Sequence, residues 1–288
     1  MTDSITGRTK ICALIGDPVE HSVSPAMHNA AFQKLGLDYF YVPFRVAPEQ
    51  LKQAVAGFRA LNLRGFNVTI PHKVAVIPLL DKLDPLAQKI GAVNTVVNDN
   101  GKLTGFNTDT EGFLRALVEK GFKPKNKKVV VLGAGGASRA ICYILAQQGA
   151  LLTILNRRQE LDWALDIARF ITKNFKQKVA ALELSHLADI LPADLLINAT
   201  SVGMSPNAKA CPVPTRLLKG VPLVFDIVYN PIKTKLIKDA AVAGAMTIGG
   251  VDMLAWQGAL AFEKWTGQKA PLDLMRRTAV KILERHED

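Results

Sequence analysis

The sequence predicts an α/β protein in two parts, an N-terminal α/β domain followed by a doubly wound parallel sheet. Three observations carry that prediction. The chain has 288 residues, which favours two domains at roughly 150 residues each. Short apolar runs alternate with helical patterns along most of its length. One run, residues 129–132, passes directly into a glycine-rich turn that opens a helix, the junction at which open parallel sheets place their ligands.

Composition narrows the class further. With 49% hydrophobic and 21% charged residues, the chain can bury a sizeable core without staples, which excludes disorder, collagen and a small disulfide scaffold. Cys12, Cys142 and Cys211 are odd in number and widely spaced, with no C-x-x-C pair. Free thiols in a reducing compartment are therefore expected, and neither a zinc ribbon nor a disulfide framework is readable. His21, His28, His72, His186 and His286 show no ligand spacing, so no metal is expected. Residues 1–10 lack the apolar run of a signal peptide. The longest uncharged stretch, between Arg139 and Arg157, carries Gln147, Gln148 and Gly149 in its middle. That suits a helix, a turn and a strand better than a membrane span. A soluble, cytoplasmic protein without a membrane partner is expected.

The net charge of +11 attracts anions of any kind, whether nucleic acid, anionic lipid or a small phosphorylated or carboxylated molecule. The basic residues are scattered, the densest run being 123–128, and aromatics make up only 7%. No basic stripe interleaved with aromatics is present, so a nucleic-acid partner rests on charge alone.

Taken in order, residues 11–15 read as a buried strand ending at Gly16. Ser24 is expected as the N-cap of a helix with Pro25 at its first position, Met27, Ala30, Ala31 and Leu35 on one face, and Gly36 closing it. Residues 39–46 form a second strand, a helix follows over about 48–59, and 65–70 form a third strand stopped by Pro71. Residues 92–97 and 102–104 read as a hairpin around Asp99-Asn100-Gly101. Thr110 is expected to cap a helix over 111–120 that Gly121 ends. Beyond it, strands are expected at 129–132, 151–155, 195–197, 223–225 and 246–248. The stretch 252–284 reads as helical, broken at Gly267 and Pro271. No internal repeat or low-complexity tract appears.

The turn Gly133-Ala134-Gly135-Gly136-Ala137 lies between an apolar strand and a helix, with a second strand beyond. Glycine lets the chain turn sharply and lets backbone approach a pyrophosphate, while the helix N-terminus offers unpaired N–H groups to it. That context marks a Rossmann-type dinucleotide site rather than glycine used for packing alone. At the end of the second strand, where an NAD-selecting fold places a carboxylate, this chain has Asn156-Arg157-Arg158. Guanidinium groups can grip a 2′-phosphate, so NADP is the expected cofactor; a solvated basic turn is the alternative.

Polar clusters also interrupt the first part. They are Ser22-Val-Ser24-Pro, Asn67-Val-Thr69-Ile-Pro71-His-Lys73, Asn94 within an apolar run, and Asn107-Thr108-Asp109 before a helix. Singly, each has a plain explanation: Ser24 or Asp109 as a cap, Lys73 as a solvated charge. In order and together they resemble the shikimate dehydrogenase family. The likeness continues through Gly-Ala-Val-Asn-Thr at 91–95, Gly-Ala-Gly-Gly-Ala-Ser at 133–138, Asn-Arg at 156–157 and Asn-Ala-Thr-Ser-x-Gly-Met at 198–204. It ends with Asp226-Ile-Val-Tyr229-Asn-Pro and Gly250-Val-Asp-Met-Leu254-x-x-Gln257, so that it spans nearly the whole chain.

The resemblance implies reversible NADPH-linked reduction of 3-dehydroshikimate to shikimate in the chorismate route to aromatic amino acids. Lys73 and Asp109 would be the catalytic pair, with Lys73 handling the proton of the reacting 3-hydroxyl. An ammonium beside a carboxylate holds its proton firmly, so the pair reads as a hydrogen-bonded relay whose proton balance changes when substrate binds. Ser22 and Ser24 would hold the substrate carboxylate, Thr69, Asn94, Asp109 and Gln257 the ring hydroxyls, and Tyr229 would close the carboxylate end. Ile227 and Gly250 would lie near the nicotinamide, with Met253 behind it. Asn67 and Pro71 would shape their turn, and Thr200 and Ser201 would end a strand at the cofactor crevice.

Residues 1–109, completed by 252–288, would form the substrate domain, and 110–251 the NADP-binding domain, with the active site in the cleft between them. The partners would be small molecules only, the chain acting as a monomer or homodimer. Two departures bear on selectivity. Leu161 stands where NADP-selective members often carry a second basic residue. Asn-Arg-Arg also occurs in a quinate/shikimate branch that accepts NAD and tends to follow it with Asp; Gln159 stands there instead, without a repelling carboxylate. Two serines at 22 and 24, with no threonine, favour shikimate over quinate. The competing readings are a quinate/shikimate dehydrogenase with relaxed choice and a non-catalytic NADP-binding regulator; the presence of Lys73 and Asp109 speaks against the latter.

Overall fold

A computed structural model describes residues 5–287, with the side chains of 286 and 287 excepted, so residues 1–4 of the leader reading and Asp288 lie outside it. The chain divides into two compact units, one running to Thr108 and resuming at Ala255–His286, the other taking Asp109–Leu254.

The first unit opens with β1 (Lys10–Gly16), α1 (Ser24–Lys34), β2 (Tyr39–Arg45) and, after a 3-10 turn at Pro48–Gln50, α2 (Leu51–Ala60). Next come β3 (Gly65–Val68), a short β4 (Lys82–Leu83), α3 (Pro85–Ile90), and the hairpin of β5 (Thr95–Asp99) and β6 (Lys102–Phe106). The sheet order is β2-β1-β3-β5-β6-β4. β1 runs parallel to both β2 and β3, whereas β5 pairs antiparallel with β3 and β6. The crossover through α1 therefore carries the chain to one side of β1 and the crossover through α2 to the other. That is a topological switch point, where the loops leaving adjacent strand ends diverge and leave room for a ligand. The hairpin turns through Asn100 and Gly101, both at positive φ (54° and 87°), as a tight two-residue turn demands. β4 and α3 were not foreseen; Asp84 caps α3 by accepting from the N–H groups of Leu86 and Ala87.

The chain then passes through α4 (Thr108–Glu119) into the second unit: β7 (Lys128–Leu132), α5 (Gly136–Gln147), β8 (Leu151–Asn156), α6 (Leu161–Phe175), β9 (Ala180–Glu183), α7 (Leu187–Ile190), β10 (Leu195–Asn198), β11 (Leu223–Asp226), α8 (Lys235–Val242) and β12 (Met246–Ile248). All six strands are parallel, in the order β12-β11-β10-β7-β8-β9. This is the doubly wound order of dinucleotide-binding folds, with its switch point between β7 and β10. The central strands β10 and β11 are buried throughout, which explains why they read as unbroken apolar runs.

Finally α9 (Gly250–Thr266) and α10 (Leu272–Glu287) close the chain. The expected domain boundaries, 109 and 252, fall within α4 and α9, so each crossing is a helix and not a linker. Two capping expectations are corrected. α1 begins at Ser24 itself, with Val23 at the cap position and no side-chain cap bond. α4 already includes Thr108, which puts Asp109 and Thr110 inside its first turn.

In the first unit the second half of α9 seals the N-terminal sheet. Trp265 donates its indole N–H to the Val96 carbonyl at 2.9 Å, and Arg64 donates to the Trp265 carbonyl at 2.8 Å. His28 lies fully buried in the same aromatic cluster, stacked on Tyr41 at 4.4 Å and tilted against Trp265 at 5.2 Å. Neither ring nitrogen has a hydrogen-bond partner among the described residues. Burial pushes the imidazole down to about 3, while in an unfolded chain it titrates near 6.5. The unfolded state therefore takes up a proton first on acidification. Stability conferred by neutral His28 is complete above about pH 6.5 and is lost at up to about 1.4 kcal/mol per pH unit below it. Chemical denaturation at pH 7 and pH 5 should show a loss that His28→Phe reduces by about 2 kcal/mol; an equal loss in both proteins would contradict the assignment.

Candidate active site

In the first unit the predicted substrate residues gather at the switch point. The turns after β1 and β3 are bound to each other, because Asp17 N–H donates to the Ile70 carbonyl at 2.9 Å and Thr69 N–H to the Ile15 carbonyl at 2.9 Å. Gly16 is required there, since a Cβ would overlap the Thr69 methyl and stand 2.9 Å from the Ile70 carbonyl oxygen. The Thr69–Lys73 turn is pinned at several points: His72 N–H bonds the Thr69 carbonyl, the buried His72 ring donates through Nε2 to the Val46 carbonyl at 2.6 Å, and Val93 N–H bonds the Lys73 carbonyl. Lys73 itself is half-buried, and the bond from Val93 fixes its backbone.

Ser22 and Ser24 frame the open N-terminus of α1. Because Ser24 is not the cap, its hydroxyl is not committed to closing the helix, and the cap residue Val23 supplies no side-chain acceptor to the first turn. Ser22 Oγ accepts from Ser24 N–H at 3.3 Å, which leaves the Ser22 hydroxyl proton available as a donor. Two hydroxyls and a helix N-terminus suit a carboxylate.

Asn67, Asn94, Thr95 and Thr108 form a buried polar network. Asn67 Nδ2 donates to the Asn94 carbonyl and to Thr95 Oγ1, both at 3.0 Å, while Tyr41 donates to Asn67 Oδ1 at 2.7 Å. Asn94 Oδ1 accepts from Thr108 N–H at 2.7 Å; its Nδ2 donates to Thr108 Oγ1 at 2.9 Å and to Gln257 Oε1 at 3.4 Å. Gln257 is thus brought to the strand-end cluster by α9, a placement that no local sequence feature encodes. Thr108 and Thr95 were not singled out by sequence reasoning, although both lie in quoted motifs. Asp109, buried to 7% exposure, belongs to the second unit.

In the second unit Gly133 follows β7 at φ +93°, and a Cβ there would stand 2.7 Å from the Thr200 methyl. The ends of β7 and β10 are therefore in close approach, as expected of Thr200 at the strand end, and only glycine fits. Gly135 and Gly136 differ. A Cβ at either position meets nothing within 4 Å, so no protein packing demands glycine. The space a Cβ would fill lies beside the uncapped N-terminus of α5, which fits the approach of a pyrophosphate. Ser138 ties the turn down by donating to the Gly133 carbonyl at 2.7 Å. Ala134 and Ala137 complete the turn.

At the end of β8 the buried Asn156 donates to the Glu160 carbonyl at 2.7 Å and folds the next residues into a 3-10 turn. Arg157 and Arg158 are exposed but not isolated. Arg157 forms a two-point pair with Glu160, at 3.2 and 2.6 Å, and Arg158 lies 3.7 Å from Glu183. Gln159 places no carboxylate at its own position, but two others, Glu160 and Glu183, stand at this corner. Glu160 was legible as Arg-x-x-Glu spacing, whereas Glu183 arrives only through the register that sets it opposite Asn156.

Asp226 lies fully buried at the end of β11. It accepts from Asn198 Nδ2 at 2.9 Å, Val228 N–H at 3.0 Å and Thr234 Oγ1 at 2.6 Å. Burial raises its carboxyl above the usual range, and the three donors work in the opposite direction. Asn198 also accepts from Thr200 Oγ1 at 2.6 Å. One buried carboxylate thus fixes the loops that carry Thr200, Ile227 and Tyr229, and Gly250 is packed hard against the Ile227 carbonyl. Met253 is buried and Tyr229 half-buried, with burial raising the Tyr229 phenol.

A unit with polar groups converging on one switch point, and a second with a glycine turn at another and arginines at the neighbouring strand end, define a two-domain α/β dinucleotide-dependent oxidoreductase. Comparison with known proteins makes the assignment particular. Profiles described as shikimate dehydrogenase substrate binding domain, shikimate / quinate 5-dehydrogenase and shikimate 5'-dehydrogenase C-terminal domain match residues 14–96, 116–210 and 250–280. The chain is 48% identical to a shikimate dehydrogenase (NADP(+)) of Desulforamulus reducens over 96% of its own length and 97% of the relative's. Among solved structures, a shikimate dehydrogenase in complex with NADP+ superposes with a TM-score of 0.91 at 42% identity, covering 96% of this chain and 97% of that one. The Listeria monocytogenes shikimate 5-dehydrogenase, in complex with shikimate and NAD, gives 0.89 at 42% identity, covering 96% and 98%. The chain belongs to the shikimate dehydrogenase family.

Proposed function

We propose that this chain is an NADP-linked shikimate dehydrogenase, reducing 3-dehydroshikimate reversibly to shikimate on the route to chorismate and the aromatic amino acids. The observation that carries the reading is the pairing of a family match along nearly the whole chain with hydroxyls, amides and Lys73 at the first unit's switch point. When bound, NADP accepts or supplies the hydride. The work of the chain is to bind, orient and move a proton. Ser22, Ser24 and the α1 N-terminus hold the carboxylate from one side and Tyr229 closes on it. Thr69, Asn94, Asp109 and Gln257 orient the ring hydroxyls. Lys73, made neutral by the relay when substrate binds, takes the 3-hydroxyl proton as the carbinol carbon loses hydride, which spares the reaction a protonated carbonyl; Asp109 holds the ammonium so formed. Cofactor contacts fall to Gly133, Ala134, Gly135, Gly136, Ala137, Asn156, Arg157, Arg158, Ile227 and Gly250.

No helix among the described residues is long and apolar enough to cross a membrane. Our reading is of a cytoplasmic enzyme, monomeric or dimeric, acting on small molecules. The arginines test the cofactor assignment. Replacing Arg157 and Arg158 together by alanine should raise the KM for NADP about 10- to 100-fold, through loss of charge-assisted bonds to the 2′-phosphate. The KM for NAD should move less than about twofold. Equal losses for the two dinucleotides would refute the 2′-phosphate role.

A further inference from the structure

The arginine corner contains more than a phosphate grip. Arg157 presents its Nε/Nη2 edge to Glu160 in a two-point pair, and Glu160 is the less exposed partner, its side chain 27% exposed against 68% for Arg157. The pair is held by a fixed backbone, because Asn156 bonds the Glu160 carbonyl and closes the turn. Arg158, 84% exposed, has Glu183 at 3.7 Å from the neighbouring strand end. Two guanidinium charges are thus matched by two carboxylates within contact distance. The field met by an incoming phosphate dianion is correspondingly weaker than Asn-Arg-Arg alone would create, since opposite charges at one site cancel beyond their own separation.

We infer that Glu160 is a specificity-determining residue of this chain: by pairing with Arg157 it offsets the charge offered to a 2′-phosphate, which limits the preference for NADP over NAD. The inference rests on the proposed NADP reading and goes beyond it by naming what restrains the preference. Glu160→Gln keeps the shape and removes the charge. kcat/KM at saturating shikimate, with NADP and with NAD, should show the NADP-to-NAD ratio rising about threefold to tenfold. Dissociation constants of adenosine 2′,5′-bisphosphate and 5′-AMP, measured by calorimetry without turnover, should move apart in the same sense. Glu183→Gln, acting through a looser pair, should give a smaller rise. An unchanged ratio would overturn the inference while leaving the NADP reading intact. So would a fallen ratio, because it would make Glu160 a support that orients Arg157 for phosphate. A wild-type chain that binds neither nucleotide would overturn the cofactor reading, and this inference with it.

Discussion

Replacing Lys73 by alanine should lower kcat for shikimate oxidation about 10²- to 10⁴-fold, the range expected when a positioned proton-transfer group is lost. The Kd for shikimate, by calorimetry, should change less than about threefold, since Ser22, Ser24, Thr69 and Gln257 remain to hold the ligand. The fold offers a clean background for this test. The Lys73 carbonyl is bonded by Val93 N–H, and the adjacent His72 ring is anchored to the Val46 carbonyl. The turn therefore keeps its path without the lysine side chain, and an unchanged melting temperature should accompany the lost rate. A kcat loss below about tenfold would remove Lys73 from the proton step. A rate loss matched by an equal loss of shikimate affinity would make it a binding residue only.

Gly250→Ala should be the most damaging single-methyl change near the site. A Cβ at 250 would overlap the Ile227 carbonyl oxygen and lie 2.6 Å from the Ile227 carbonyl carbon and 2.7 Å from that of Val228. These are backbone atoms, and Asp226 immediately before them is locked by Asn198 and Thr234. The loop has little freedom to retreat, so overpacking should cost about 1–3 kcal/mol of stability. Displacing a loop that carries Ile227 and Tyr229 should also reduce kcat/KM about 10²-fold, through misplacement of both ligands. Denaturant melts together with initial rates measure the two effects. A variant of wild-type stability and rate would show that the close approach of α9 to the 227–228 backbone is not needed.

Legibility in the sequence followed how local each cause is. The glycine turn was readable because strand, turn and helix are consecutive, and Gly133 meets its requirement through its own φ. β10 and β11 were readable because strands buried on both faces must be apolar throughout. β9 was missed: Ala180–Glu183 is a half-exposed edge strand with no apolar alternation. Ser24 was misplaced by one position because Ser-Pro reads equally well as cap and first residue or as the first two helical residues, and only the backbone separates them. The shift matters to function, since it releases the Ser24 hydroxyl from capping. Gln257 and Tyr229 were reached only through family resemblance, because residue 257 meets Asn94 across more than 160 positions of chain. The Asp226 network and Glu183 beside Arg158 were not foreseen, because their partners are set by sheet register and loop closure; Glu160 was overlooked although its spacing from Arg157 is local.

The most direct test of the account is nicotinamide reduction, followed by near-ultraviolet absorbance, with shikimate and quinate each paired with NADP and with NAD. The account predicts rapid turnover with shikimate and NADP, and little with quinate. Turnover with shikimate and NAD should be slower, because the arginines favour the 2′-phosphate, yet measurable, because Glu160 restrains that preference. Absence of turnover with shikimate and either dinucleotide would contradict the account.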